Sequence, residues 1–330
     1  MIVIAVVATI VVMNERSGPP LSGPSAPGSP GQRVSVPDAT QLTAGCGAVP
    51  HHCGYPDVTN TGVRAGTALR AVPGQVSSGP GWHFNHRGWV QVDGNGAVLS
   101  GLYIPCNVNV TASNVTIKDV RVAGHGNMIG ISLRHTRNVT IENSDVYGPS
   151  AGPDRLATGI KDVFGNSTGI RILRDDLWHF KTGIQLESGL VAGNYLHNPG
   201  FAAGDHINGV TSNGGNPAQL TIQHNTILVG HNQTDAIGLF EGFGIQANRL
   251  VKDNLLAGGG YTIYAGQMTG RPRTYNIKII NNRISRVYYP DGGYYGDADL
   301  FNPDGHGNVW SDNTFSGNSW GDTVNVIARP

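Results

Sequence analysis

Short segments in which apolar and polar residues alternate return along most of the chain. The segment at 114–122, Asn-Val-Thr-Ile-Lys-Asp-Val-Arg-Val, returns at 138–146 as Asn-Val-Thr-Ile-Glu-Asn-Ser-Asp-Val. An alternation with a period of two is typical of β-strands, because successive side chains point to opposite faces. Related segments begin at Ile170, Leu190, Leu220, Leu250, Ile277 and Val309.

A polar residue recurs near the centre of these repeats. We align it as the column Val120, Ser144, Asp176, Asn194, Asn225, Asn254, Asn282 and Asn313. The last four intervals in this column are 31, 29, 28 and 31 residues, which is nearly even. Asn amides at one place in successive coils can bond to each other, as stacked amides do in cross-β structure. Asn also tolerates the left-handed backbone of tight turns. We therefore interpret the Asn column as structural.

A second short strand precedes each repeat, and no segment has the pattern of a long helix. These strands begin at Thr158, Thr182, Asn208, Asp235 and Tyr261. Strands of this length, separated by turns and returning at a nearly fixed period, predict a coiled parallel sheet. Leucine-rich repeats have a similar period, but their Leu-x-x-Leu-x-Leu frame is absent. The prediction is an all-β chain, a single-stranded right-handed parallel β-helix (solenoid) with an N-terminal cap.

The chain divides into three predicted regions. Residues 1–31 form a signal or anchor segment and a Pro/Gly/Ser linker, since the apolar run at 2–13 is shorter than the roughly 20 residues of a membrane span and matches a signal peptide. A hydrophobic N-terminal strand is the alternative. Residues 32–100 form the cap region, which shields the apolar end of the first coil, and residues 101–330 form the β-helix. We expect a secreted protein, possibly anchored at its N-terminus, without a stable membrane span after processing.

Composition narrows the class of partner. The chain has 48 Gly and only 13% charged residues, with Lys+Arg and Asp+Glu both at 22. A nucleic-acid binder would show a basic excess or stripe, so we expect no nucleic-acid partner. A neutral surface suits a neutral polymer, or a charged one that is met by a few placed groups. We expect the chain to be a monomer.

Cysteine usage agrees with export. Cys46 and Cys53 are separated by turn residues, so a local disulfide is plausible in an exported protein. His51 and His52 between them raise a metal site as an alternative, but the spacing is not that of a zinc motif. Cys106 lies in an apolar context and is expected to be a buried free thiol.

Several segments carry a resemblance to a known family. Gly-Asp-His-Ile-Asn-Gly-Val at 204–210, Asn-Thr-Ile at 225–227, Asp-Ala-Ile at 235–237 and the segment at 254–264 are similar to secreted actinobacterial β-helix proteins. Over residues 55–320 the chain resembles the right-handed parallel β-helix repeat proteins of the pectate-lyase-like superfamily. That resemblance implies the fold and a choice among polysaccharide lyases, glycoside hydrolases, epimerases and non-catalytic binding proteins.

The chain departs from the superfamily's best-known activities. Its galacturonan hydrolases carry Asn-Thr-Asp, Asp-Asp, His-Gly and Arg-Ile-Lys motifs, whereas here Asp175-Asp176 lies inside a repeat and Arg-Ile-Lys is absent. Its classical pectate lyases carry an Arg-x-Pro-x-x-Arg segment, which Arg271-Pro272-Arg273 does not match. Neither activity can be transferred to this chain.

The strands that begin at Thr158 and its equivalents predict a groove. If Ile160, Ile184, Val210, Ile237 and Ile263 point inward, the residues one and three positions later point outward. That outward set is polar and Gly-rich, as a track for sugars would be. The set contains Lys161, Val163, Gln185, Glu187, Thr211, Asn213, Gly238, Phe240 and Tyr264. An ordinary solvated sheet face is the alternative.

Reactive residues lie at the turns that enter or leave these strands, and stacking of coils about 4.8 Å apart can bring them together. The candidate catalytic residues are Asp205, His206, Asp235, Glu187, Glu241 and Lys181. The candidate substrate-binding residues are His179, Lys161, Gln185, Asn213, Arg249 and Tyr264. Turn capping, with bonds only to the backbone, is the alternative for the Asp and His residues.

Two chemistries fit these candidates. A lyase acting on a uronic-acid polymer needs a base, His206 or Lys181, and a cationic group or calcium ion to neutralise the carboxylate. Lys161, His179 or Arg249 would supply that charge. A hydrolase needs two carboxylates about 5–10 Å apart. The pairs here are Asp205 with Asp235, and Glu187 with Glu241.

The Tyr-rich segment at 288–301 is predicted to be a loop that stacks on sugar rings or packs on the coil. Its Asp297 and Asp299 could bind calcium, so the cofactor is either none or Ca²⁺.

The leading hypothesis is a secreted polysaccharide lyase or glycoside hydrolase, and the alternative is a non-catalytic glycan-binding or surface protein. If Asp205, His206, Asp235 and Glu187 share one concave site, the enzyme is favoured. If they are dispersed or bonded to the backbone, binding is favoured.

Overall fold

The computed structural model describes residues 46–316 and a short strand at 325–326. Within these residues the chain is an all-β parallel solenoid of about nine turns, which confirms the predicted fold class. Its one helical element there is a 3-10 turn at Pro50–Cys53. The right-handed sense of the coil stays a prediction, supported by the general rule for parallel crossovers. The predicted signal and linker segment, and residues 32–45 of the predicted cap, lie outside the described residues.

The strands form two sheets, which we call the short sheet and the long sheet. The short sheet is antiparallel at β2, β3 and β4 and parallel from β4 onwards. It contains β2 (Ser78–Gly79), β3 (Trp82–Phe84), β4 (Val90–Val92), β6 (Val108–Val110), β8 (Ile129–Leu133), β11 (Leu156–Asp162), β14 (Phe180–Gln185), β17 (Asn208–Ser212), β20 (Asp235–Leu239), β23 (Tyr261–Ala265) and β26 (Gly296–Asp299).

The long sheet takes two strands from most turns of the solenoid. It contains β1 (Arg70–Ala71), β5 (Val98–Ile104), β7 (Thr116–Ala123), β9 (Thr140–Glu142), β10 (Asp145–Tyr147), β12 (Arg171–Leu173), β13 (Asp176–Trp178), β15 (Gly189–Ala192), β16 (Tyr195–His197), β18 (Leu220–Gln223), β19 (Thr226–Val229), β21 (Ala247–Lys252), β22 (Leu255–Gly258), β24 (Tyr275–Ile280), β25 (Arg283–Ser285), β27 (Val309–Ser311), β28 (Thr314–Ser316) and β29 (Asn325–Val326).

Three stacks of aliphatic side chains fill the interior, because each rung places an apolar residue in register with the next. Burying a side chain of this size contributes about 1.5–3 kcal/mol. The stack on the short sheet is Ile131, Ile160, Ile184, Val210, Ile237 and Ile263, which confirms the predicted inward set. The two stacks on the long sheet are Ile117, Ile141, Ile172, Val191, Ile222, Val251 and Ile279, and Val122, Val146, Leu177, Leu196, Ile227, Leu256 and Ile284.

A buried amide ladder forms the corner between the two strands of each long-sheet turn. The side-chain amide of Asn194 donates to Oδ1 of Asn225 at 2.9 Å and to the carbonyl of Ile172 at 3.0 Å. The backbone N–H of Asn194 donates to the same Oδ1 at 2.9 Å. The pattern repeats at Asn225, Asn254 and Asn282. The structural interpretation of the Asn column is therefore confirmed.

Two details of the ladder differ from the sequence prediction. Asp175, not Asp176, occupies the ladder position, since its Oδ1 accepts from the backbone of Ser144 and its own N–H donates to Asn194. The left-handed conformation falls on the residue before each ladder position rather than on the ladder Asn. Examples are Arg174 and His224, whose φ values are 56° and 51°.

Residues 46–68, which we call the strap, cross the outer face of the long sheet. Cys46 and Cys53 form a disulfide at one end of the strap, where Arg283 donates to Sγ of Cys46 at 3.2 Å. In the middle, the N–H of Val63 donates to Asp145 at 2.9 Å. Arg64 then forms a bidentate ion pair with Asp119. The strap therefore contacts strands of the long sheet from β25 to β7.

No helix in residues 46–316 has the length and apolar character needed to cross a membrane.

Candidate functional site

One row of outward-pointing residues runs the length of the short sheet. Each member pairs in register with the next, so neighbours are one strand spacing of about 4.8 Å apart. The row is Gln91, Asn109, Ser132, Lys161, Gln185, Thr211, Gly238, Tyr264 and Asp299. Most of these side chains are polar and uncharged, so the sheet carries a polar row, in which Ser132 and Thr211 are buried.

A cavity of about 310 Å³, which we call the central cavity, lies over the middle of this row. It is lined by Lys161, Gln185 and Glu187 and by the glycine-rich turn at 214–216. Phe164 and Phe243 also line the cavity, although they are 53% and 79% exposed. Two exposed aromatic rings beside a polar floor are costly to solvate, and exposed apolar surface of this kind often marks a binding site.

Glu187 anchors the turn beside the central cavity. Its carboxylate accepts hydrogen bonds from the hydroxyl of Ser212 at 2.6 Å and from the backbone N–H groups of Asn213 and Gly214 at 2.8 and 3.0 Å. Three donors use most of its acceptor capacity, and its side chain is buried. Glu187 therefore positions the turn and does not present a free carboxylate to the cavity.

Lys161 is the cationic group that lines the central cavity. Burial disfavours its charged form and lowers the pKa of the amine, while the nearby Glu187 carboxylate partly opposes the shift. Lys161 pairs in register with Gln185 on one neighbouring strand and with Ser132 on the other. Its amine is therefore a partly desolvated group in the polar row itself.

A second cavity of about 460 Å³, the upstream cavity, lies over the first strands of the same row. It is lined by Trp89, Asn107, Val108, Asn109, Asn127, Met128, Ile129, Ser132 and Arg134. The guanidinium carbon of Arg134 lies 5.8 Å from the ring centre of Phe164, so the two cavities adjoin. None of the predicted site residues lines this cavity. The sequence signal for it was Trp89, an aromatic residue directly before β4.

Asp205 lies at the entry side of the short sheet in an ion-pair cluster. Arg155 binds both of its carboxylate oxygens, and the ammonium of Lys181 lies 3.7 Å away. Burial opposes ionisation of Asp205, but the bonds from Arg155 outweigh it, so the pKa of the carboxyl is lowered. Asp205 also accepts from the N–H of Ala202 at 2.8 Å. The cluster ties two turns together.

The two histidine candidates lie on the same side and do not join Asp205 in a cavity. His206 is exposed. His179 contacts the carbonyl of Gly148 through Nδ1 at 3.0 Å, and burial lowers the pKa of its ring. His179 lies at a bend, and His206 lies in the connection that precedes β17.

Asp235 is fully buried, and neither of its carboxylate oxygens has a hydrogen-bond partner among the described residues. Burial raises the pKa of this carboxyl well above its usual range, because the interior disfavours the ionised form. One oxygen lies 2.7 Å from the position that a Cβ on Gly238 would take, and the ring of Phe240 crowds the same position. Tyr264 lies near, and burial followed by the Asp235 charge raises its pKa to about 12.

Glu241 and Arg249 are also enclosed by protein. Glu241 is buried, and one of its oxygens accepts from the N–H of Met268 at 3.2 Å. Arg249 donates to Oε1 of Gln246 at 2.7 Å and to three backbone carbonyls, and only 1% of its side chain is exposed. The guanidinium of Arg249 lies 4.0 Å from the Glu187 carboxylate and balances its negative charge.

The predicted site residues therefore fall into separate groups. Lys161, Gln185 and Glu187 meet at the central cavity, with Asn213 beside them. Asp205 and Lys181 form the entry cluster, and Asp235 lies with Tyr264 further along the sheet. The four side chains on which the enzyme hypothesis depends do not share one concave site. Stacking of rungs aligned their strands, but partners from other rungs occupy the Glu187 and Asp205 carboxylates, and Asp235 is fully buried.

Asp297 and Asp299 lie in β26, on either side of the buried Ala298, so part of the predicted Tyr-rich loop is a strand. Within residues 46–316, no three His, Cys, Asp or Glu side chains come together in an arrangement that could hold a metal ion. Calcium binding stays a prediction.

No family model matches the chain, and no curated protein is significantly similar to it.

Proposed function

We propose that the chain binds a linear polysaccharide along the outer face of the short sheet. The observation that carries the proposal is the polar row from Gln91 to Asp299 with two adjoining cavities above it. The surface repeats one outward residue per rung, which suits a polymer built from repeated sugar units. Binding sites of this kind combine apolar walls with a few placed polar groups.

The side chains over the row suit sugars in particular. A sugar ring has hydroxyl groups around its edge and an apolar face of C–H groups. Phe164 and Phe243 offer exposed rings for that face. Gln185 offers both a donor and an acceptor to the hydroxyl groups. Binding of a sugar chain by these groups requires no catalytic carboxylate. Hydrolysis would require two free carboxylates in one site, and Glu187, Asp205 and Asp235 are poorly placed for that role. Binding therefore fits the site better than hydrolysis.

The affinity of purified protein for a panel of neutral and acidic polysaccharides, measured by titration calorimetry, tests this proposal. Phe243→Ala is expected to weaken binding at least about 5-fold, because truncating an aromatic contact at a binding hot spot costs more than about 1 kcal/mol. Phe201→Ala is the matched control, since Phe201 is also exposed but packs on His231 away from both cavities. Failure of every glycan to bind, or equal affinity of wild type and Phe243→Ala, would count against the proposal.

Cleavage by β-elimination is the second candidate function, and the position of Lys161 favours it. In this reaction a base removes the proton next to the sugar carboxylate, the glycosidic C–O bond breaks, and the leaving oxygen takes up a proton. A partly desolvated lysine with a lowered pKa can act as such a base. Ultraviolet absorbance of unsaturated products detects the reaction. Lys161→Met should abolish product formation, and the absence of product from every acidic polymer that binds excludes this candidate.

A further inference from the structure

A hydrogen-bond network in the upstream cavity fixes the position of Arg134. Oδ1 of Asn109 accepts from Nε of Arg134 at 2.8 Å and from the hydroxyl of Ser132 at 3.0 Å. The amide of Asn109 donates to Oε1 of Gln91 at 2.7 Å, and the indole N–H of Trp89 donates to the same oxygen at 3.3 Å. Three polar side chains on consecutive rungs, Gln91, Asn109 and Ser132, thus hold one guanidinium and one indole ring in place.

The guanidinium carbon of Arg134 lies 5.8 Å from the ring centre of Phe164, but the outer edge of the guanidinium has no polar partner among the described residues. Its two terminal nitrogens make no hydrogen bond or ion pair with the part of the chain that the structure describes. No Asp or Glu is among the residues that line the upstream cavity. The next cation along the row is Lys161, which pairs in register with Ser132. The terminal N–H donors of Arg134 therefore line a cavity whose net charge is positive.

The other polar groups of the cavity wall carry no unbalanced charge. Oδ1 of Asn107 is buried and has no hydrogen-bond partner among the described residues. Asn127 is held by Arg155, which donates to its Oδ1 at 3.0 Å. Arg155 is itself neutralised by Asp205, so Arg134 supplies the unbalanced charge at the cavity wall. The volume of about 460 Å³ falls within the range of small-ligand sites.

We propose that the upstream cavity binds the anionic substituent, a carboxylate or a sulfate ester, of one sugar unit in the bound polysaccharide. Arg134 makes two parallel N–H···O bonds to the anion, a geometry that matches the guanidinium fork. Trp89 packs against the ring of the same unit. This subsite rests on the proposed binding function, since it selects among the polysaccharides that the row can hold.

Three oligosaccharide probes of equal length test the subsite by titration calorimetry on the full chain: a hexuronate oligomer, a sulfated hexose oligomer and a neutral hexose oligomer. Wild type is expected to bind at least one anionic probe 10-fold or more tightly than the neutral probe. Arg134→Gln is expected to remove this preference, so that the anionic and neutral probes bind with equal affinity. Arg134→Lys keeps the charge without the fork, so it should retain part of the preference.

Arg171→Gln is the matched control, because Arg171 is an exposed arginine on β12 of the long sheet. It should not change the affinity for any probe. Far-ultraviolet circular dichroism and thermal melting establish that the Arg134 variants are folded. Equal binding of anionic and neutral probes to wild type would overturn the subsite and leave polysaccharide binding standing. An anion preference that survives Arg134→Gln would overturn it as well, whereas no binding of any probe would contradict the proposed function itself.

Discussion

Asp175→Asn is predicted to stabilise the solenoid at neutral pH. Asp175 is fully buried in the ladder, where most rungs have Asn, and its Oδ2 has no hydrogen-bond partner among the described residues. An Asn amide at that place would donate to Oδ1 of Asn194 and to the carbonyl of Ile141, as the Asn194 amide does one rung later. Its Oδ1 would still accept from the N–H of Ser144.

The expected size follows from the buried, unsatisfied oxygen and from the charge. Leaving a buried polar atom unpaired costs about 1–3 kcal/mol. Burial raises the pKa of Asp175 well above its usual value. The wild-type fold therefore has its full stability below the unfolded carboxyl pKa of about 4 and loses stability as pH rises towards the raised folded value, by about 1.4 kcal/mol per unit of pKa shift. The variant lacks this loss, so its advantage should be at least about 1–3 kcal/mol at pH 7.

Urea unfolding of wild type and Asp175→Asn at pH 4 and pH 7 measures the effect. The variant should be more stable at pH 7, and the difference should shrink at pH 4, where only about half of the unfolded Asp175 carboxyl is ionised. Asp312→Asn is the control, because Asp312 is exposed and precedes a ladder Asn, and it should change stability by less than about 0.5 kcal/mol. Equal stability of variant and wild type at pH 7, or a difference independent of pH, would refute the reasoning.

Two further predictions concern the scaffold. Asn225→Ala removes the acceptor of the Asn194 amide and the donor to Asn254, so it should cost at least about 3 kcal/mol in urea unfolding; a cost below 1 kcal/mol would contradict the ladder. Reduction of the Cys46–Cys53 disulfide should lower stability by about 2–3 kcal/mol, as expected for closing a short loop, and melting with and without reductant measures it. No change in melting temperature would show that the strap contributes little.

The solenoid could be predicted from sequence because its physics is local and repeated. One apolar position per strand, such as Ile160 or Ile184, selects the inward face, and one buried Asn per turn marks the corner. The early rungs are less regular, and there the alignment placed Asp176 where Asp175 belongs. The sequence alignment cannot distinguish Asp175 from Asp176, because both are Asp and either one fits the polar column. The choice matters because it decides which carboxyl is buried in the ladder.

The site was harder to predict, because the partners of charged groups come from distant rungs. Glu187 and Lys161 were placed correctly on the outward face, yet the sequence does not show that Ser212 and two backbone N–H groups occupy the Glu187 carboxylate. Arg155 contributes the partner of Asp205 from a turn 50 residues earlier. Arg134 escaped notice because it lies just after a strand in an otherwise ordinary repeat.

Hydrogen–deuterium exchange with and without a saturating bound polysaccharide tests most directly the claim that the short sheet carries the ligand. We predict slower exchange in the segments around both cavities, residues 107–109, 127–134, 163–165, 214–216 and 242–244, and no change in the strap at 46–68. Protection of the strap and the long sheet, with exchange around the cavities unaltered, would contradict the account.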